Sequence, residues 1–209
     1  SLSMPRTAPS IWFCAALAPM VLAQFGRLYQ TDAQMWLVWD YAGRIGTIAI
    51  LAAIPAARSV AFEHVRSRLR FWEIAAWMLG IVAVDQFISE PIRSLIDNAL
   101  PNTALGVYPP TTGWLHSTDL IFGIVLVAVS EELMFRRCAR HLMKDFIGDG
   151  RMMIVVSALM FAAFHWWRGI GSAVAIAVLG YALMLFYRWS KALWPLIAAH
   201  YLIDLIHFA

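Results

Sequence analysis

Apolar residues in this chain run in long unbroken stretches, without the alternation or three-and-four spacing that builds one face of a soluble element. Seven stretches stand out, at roughly 10–26, 34–56, 71–92, 118–135, 152–167, 171–188 and 192–208. A helix needs about 20 apolar residues to cross a hydrocarbon core about 30 Å thick. The pattern therefore predicts an all-α polytopic membrane protein with about seven transmembrane helices. The fifth and seventh stretches are short, which points to tilt or a sunken loop.

The residues between the stretches orient the chain. With the N-terminus cytoplasmic, the inside segments hold Arg6, then Arg58, Arg66, Arg68 and Arg70, then Arg136, Arg137, Arg140, Lys144 and Arg151, then Arg188 and Lys191. The outside segments hold only Arg27, Arg93 and Arg168. That twelve-to-three division is what the positive-inside rule expects. Arg44 alone lies within a stretch, four residues after Asp40, so the two can pair on one helix face. Trp12, Trp36, Trp72, Trp114, Trp166, Trp167, Trp189 and Trp194 fall near stretch ends and read as interfacial anchors.

Composition agrees, at 61% hydrophobic and 14% charged residues. The net charge of +3 is not a nucleic-acid signature, because the basic residues lie between apolar stretches. Cys14 and Cys138 are single and far apart, so neither a disulfide framework nor a cysteine metal site is expected. The first stretch lacks a small-residue cleavage signature and is expected to be retained, with Ser1-Leu2-Ser3 ahead of Met4 a cloning remnant. No repeat or linker divides the chain, so residues 1–209 read as a single transmembrane domain. The longest outside loop, about 93–117, carries Pro101, Pro109, Pro110 and Gly113 and is expected to be an irregular connection.

Candidate chemistry concentrates in the last ninety or so residues. Glu131 and Glu132 close the fourth stretch, and a charge at mid-membrane costs about 2.5–3.5 kcal/mol on insertion scales. Such residues face a polar interior, find partners or do chemistry, unless they simply mark a solvated span end. Glu132 and Arg136 share a helix face, while Glu131 points about 100° away. Phe161 and His165 share a face, as do His200 and Asp204. A lone histidine in such a helix is more often a helix–helix hydrogen-bonding group, but an Asp one turn away argues for more. Glu131 lies seventeen residues before Gly148, and His165 seventeen after it. A helical hairpin turning at Gly148-Asp149-Gly150 would set the two at similar height, with His200 at a compatible depth.

The ordered set Glu131-Glu132-x-x-x-Arg136, Phe161-x-x-x-His165 and His200-x-x-x-Asp204 resembles the three-motif signature of the CAAX protease and bacteriocin-processing family. These are glutamic intramembrane proteases that include the type II CAAX prenyl endopeptidases. The resemblance covers about 118–208, and the first three stretches contribute nothing to it. It implies an intramembrane endopeptidase without a metal or other cofactor. Glu131 with His165 would activate water, and His200 with Asp204 would lie on the oxyanion side, supported by Glu132, Arg136 and Phe161. Many relatives carry Asn at the position of Asp204. An ionised Asp cannot donate to an oxyanion, so Asp204 is either protonated or serves to orient His200, with the ring as the main donor; the orienting role is the expectation.

Two other readings stay open. Glu131, His165 and His200 with one water could ligate zinc, although no HExxH is present. Asp40, Arg44 and Asp85 could instead serve ion traffic in a membrane immunity or transport protein. The expected partners are the lipid bilayer and a peptide or protein with a processed terminus: a prenylated C-terminus, a bacteriocin leader or a C-terminal sorting tail. The expected location is a bacterial inner membrane. Trp166, Trp167 and Arg168 place His165 nearer the outer interface. Nothing in the sequence sets an oligomeric state.

Overall fold

Proline, glycine and one aspartate set most of the helix boundaries. A computed structural model describes residues 8–209; Ser1-Leu2-Ser3 and Arg6 lie outside the described residues. Pro9 opens α1 (Pro9–Leu28), where its missing N–H costs nothing. Asp32 caps α2 (Ala33–Ala53) by accepting from the Met35 N–H at 3.0 Å. Pro55 then starts α3 (Pro55–Ala61), bent 108° from α2. At the head of α4 (Phe71–Ala99), the Glu73 carboxylate accepts from the Arg70 N–H at 2.6 Å.

Helix α5 is one continuous helical stretch over 113–147, with π-helical turns at Asp119–Gly123 and Leu133–Cys138. Helix α6 (Arg151–Phe164) follows a turn in which Gly148 takes a φ of 75°. Gly169, at φ 95°, leads into α7 (Ile170–Ser190), and Pro195 lies in the first turn of α8 (Trp194–Phe208). The described residues contain no strand, as the apolar pattern predicts.

Among the described residues, three helices (α1, α4 and α7) are long and apolar enough to cross a membrane, or four if the bent α2–α3 pair is one span. Helices α6 and α8 have only 14 and 15 residues. The fold is thus all-helical, with three or four candidate spans among the described residues where the sequence has seven apolar stretches. Helix α4 also runs to Ala99, so the loop expected over 93–117 is shorter. Tyr108 anchors that loop by donating to Asp119 at 2.7 Å, and the Leu105 N–H donates to the Trp167 carbonyl at 2.9 Å.

Helices α1 and α2 pack as a close hairpin. A Cβ at Gly43 would lie 2.6 Å from the Ala23 Cβ and 2.8 Å from the Pro19 carbonyl oxygen, so only glycine permits this approach. Thr47 Oγ1 fastens the pair by donating to the Ala16 carbonyl at 2.6 Å. The main core joins this hairpin to α5, α6, α7 and α8 through Met20, Leu51, Phe135, Phe161, Leu183 and Leu196. Trp72, Trp114, Trp166, Trp189 and Trp194 are exposed in keeping with an anchoring role, but Trp12, Trp36 and Trp167 are buried. Trp36 and Trp167 flank the Arg27 guanidinium at 4.6 and 4.8 Å, a cation–π arrangement that draws both rings inward.

Candidate active site

Residues 130–139 are buried on every side, so the charges of the Glu-Glu-x-x-x-Arg segment must find partners within the protein. Glu132 and Arg136 meet at 3.0 Å (Oε2 to Nε), both fully buried. The contact is an ion pair without hydrogen-bond alignment, and the Arg136 guanidinium also lies 4.3 Å from the Phe161 ring centroid. The other Glu132 oxygen, Oε1, reaches His200 Nδ1 at 2.7 Å. A carboxylate only accepts, so that nitrogen carries the proton.

Glu131 turns the other way. Its Oε1 takes an ion pair from Arg44 Nη1 at 2.9 Å, and its Oε2 lies between two imidazoles. Nε2 of His165 stands 3.8 Å away and Nε2 of His200 stands 3.7 Å away. His165 Nδ1 lies 2.8 Å from the Phe161 carbonyl, which can only accept. In the neutral ring the free lone pair is therefore on Nε2, facing Glu131. The π turn at Leu133–Cys138 directly follows the two glutamates, a placement common at functional sites.

Helix α8 supplies His200 and, one turn later, Asp204, and both line the same cavity as Glu131 and His165. Asp204 Oδ2 is 3.6 Å from His200 Nε2, outside hydrogen-bonding distance, and has no other partner. The nitrogen nearest it is the one that faces Glu131. The bond that orients the ring belongs to Glu132, on the opposite nitrogen.

Residues 113–206 match the family described as type II CAAX prenyl endopeptidase Rce1-like. Over this segment the chain is similar to the CAAX proteases. The match includes Glu131, Glu132, Arg136, Phe161, His165, His200 and Asp204. Comparison with curated proteins and with solved structures gives no match. The Rce1-like family is a peptidase family.

The cavity of the Rce1-like segment measures about 290 Å³, and helices outside that segment help to line it. Arg27 and Arg44 come from α1 and α2, and Asp85, Ser89 and Glu90 from α4. The helices of the first three stretches had no part in the family resemblance, and Asp40, Arg44 and Asp85 were set apart only as candidates for ion traffic. Arg44, within an apolar stretch, and Asp85, in the middle of another, were the signals that pointed to a buried polar site in these helices. Glu132 was paired with Arg136, but its second partner on a distant helix left no trace in local spacing.

For metal ligation, the described residues whose ligand atoms lie within 4.8 Å of one another are Asp85, Glu90 and His207, at the edge of the cavity. These already satisfy one another and their neighbours. His207 Nε2 lies 2.9 Å from Asp85 Oδ2, and Glu90 pairs with Arg93.

Proposed function

We propose that this chain is a glutamic-type intramembrane endopeptidase that cleaves near the terminus of a membrane-associated or exported peptide or protein. The observation that carries the reading is the position of Glu131 Oε2 between His165 Nε2 and His200 Nε2, at 3.8 and 3.7 Å. Both gaps are too long for direct hydrogen bonds and suit an oxygen atom held between the groups.

In this reading a water between Glu131 and His165 gives one proton to Glu131 as its oxygen attacks the scissile carbonyl carbon. His165 Nε2 accepts a hydrogen bond from the other water hydrogen and holds the lone pair in line. His200 keeps Nδ1–H on Glu132 and donates from Nε2 to the oxyanion, which requires protons on both nitrogens. Glu131, Glu132 and Asp204 surround that ring, and an imidazolium is the form that matches them. Collapse of the tetrahedral intermediate breaks the C–N bond, and Glu131 returns its proton to the departing amine. Asp40 and Arg44 are tied to Glu131 rather than to a separate ion path, which favours the enzyme over a transport role.

The bias of basic residues toward one set of connecting segments supports a cytoplasmic N-terminus. The test of the catalytic reading is Glu131→Gln, purified and reconstituted with a membrane-anchored peptide carrying a cleavable terminus. Cleavage should fall below detection while the thermal transition in detergent stays within a few degrees of the parent. Cleavage at the parental rate by a folded Glu131→Gln protein would overturn the reading.

A further inference from the structure

A run of four alternating charges links the α1–α2 hairpin to Glu131. Arg27 on α1 is ion-paired with Asp40 on α2. Asp40 Oδ2 holds Arg44 Nε at 3.0 Å, and Arg44 Nη1 reaches Glu131 Oε1 at 2.9 Å. All four groups are buried. Arg44 Nη1 also donates to Ser130 Oγ at 3.0 Å, so the guanidinium is held by both residues of the Ser130-Glu131 step.

We propose that Arg44 is a positioning residue for Glu131, and that the α1–α2 hairpin, outside the family segment, completes the catalytic site. The inference rests on the proposed role of Glu131 as the base. A carboxylate with two free oxygens can turn about its last torsion and present either one. Arg44 occupies Oε1 and leaves Oε2 as the atom facing His165 and His200. Arg44 touches neither water nor substrate in this scheme and acts only through Glu131.

Its own position is fixed from behind. Asp40 fastens Nε, and Arg27 in turn neutralises Asp40 between the rings of Trp36 and Trp167. The planar guanidinium suits this task because Nε and Nη1 serve two different partners at once. A lysine offers one ammonium on a flexible stem and can satisfy Glu131 or Asp40, with poorer control of direction. The close packing at Gly43, the residue before Arg44, brings α2 tight against α1 and thereby sets the depth at which Arg44 emerges.

The test compares Arg44→Lys, Arg44→Met and Glu131→Gln in the full-length protein, in liposomes, on one membrane-anchored peptide. Arg44→Met should lower kcat by about 10²-fold, the scale of losing one preorganised contact, with KM changed less than about threefold. Arg44→Lys should recover part of that loss, and each protein's detergent melting is measured alongside. A purely structural role would lower melting temperature in step with activity, and lysine would restore both or neither. Should Arg44→Met fail to fold, Arg44→Lys still decides: parental kcat in that variant overturns directional control by the guanidinium. Parental kcat in a folded Arg44→Met protein overturns the proposal outright. If Glu131→Gln is itself active, the proposed function has failed. If Glu131→Gln is dead while Arg44→Met is fully active, only the role of Arg44 has failed.

Discussion

Nδ1 of His200 lies 2.7 Å from Oε1 of Glu132, while Oε2 of the same carboxylate faces Arg136 at 3.0 Å. One buried glutamate thus joins α5 to α8 and neutralises a fully buried arginine. Removing one member of a buried pair strands the other charge, at a cost of about 3–5 kcal/mol. Glu132→Ala should therefore lower the detergent melting temperature by many degrees, with loss of cleavage following from loss of fold. Glu132→Gln retains an acceptor for His200 but not the charge opposite Arg136, so it should destabilise less. An unchanged melting temperature for Glu132→Ala would show that Arg136 does not depend on this pair.

Asp204 has the opposite standing: half-buried, beside His200, with its enclosed Oδ2 lacking a hydrogen bond. Because Glu132 already fixes the ring, Asp204→Asn should retain substantial turnover. An amide N–H aimed at the reacting region could even serve as a second donor. Asp204→Ala should lose more, and His200→Ala more still, by about 10²–10³ for an oxyanion donor. Turnover of the three variants on one peptide, with melting measured in the same detergent, gives the ranking. Equal near-total loss for Asn and Ala would assign Asp204 to the chemistry itself.

The sequence carried the helical class and the pairs that share one helix face, because those depend on spacing within about four residues. Glu132 with Arg136 and Asp40 with Arg44 both form. The approach of Glu131 to His165 was also within reach, since equal distances from Gly148 put them level in the hairpin. What spacing cannot encode is which face of one helix meets which distant helix. Hence Arg44 on Glu131 and Glu132 on His200, separated by 68 residues in the latter case, had no local signal. The inward turn of Trp36 and Trp167 has the same origin, for it follows from a buried Arg27 supplied by a third element.

Metal dependence separates the glutamic reading from a zinc enzyme. Glu131 already spends one oxygen on Arg44, and His200 spends Nδ1 on Glu132. The proposed mechanism routes every proton through side chains. Cleavage should accordingly persist after prolonged strong chelation, with no stoichiometric metal by elemental analysis of active protein. Loss of activity on chelation, restored by zinc and by no other ion, would favour the metalloprotease reading.

An ion pair ties the α5–α6 turn. Arg140, near the end of α5, grips Asp149 with Nε to Oδ1 at 2.9 Å and Nη2 to Oδ2 at 2.5 Å. Asp149 sits between Gly148 and Gly150, where the backbone has few other restraints, so this two-pronged bond limits splaying of α5 from α6. The hydrogen bonds from Arg140 hold the Asp149 carboxyl below its ordinary pKa of 3.8, against a smaller opposing effect of burial. A carboxyl whose pKa is depressed on folding contributes stability that is fully present above its unfolded value. That contribution is lost as pH falls through the folded value. Parent and Asp149→Asn should therefore differ in melting temperature by a constant amount at neutral pH, and the difference should close as pH drops below about 3.8. The pair is partly exposed, so the effect at neutral pH should be small, within about 1 kcal/mol, and should shrink in high salt. A difference that instead grew on acidification would mean that Asp149 stabilises the turn in its protonated form, and that the bond to Arg140 is not what holds the hairpin.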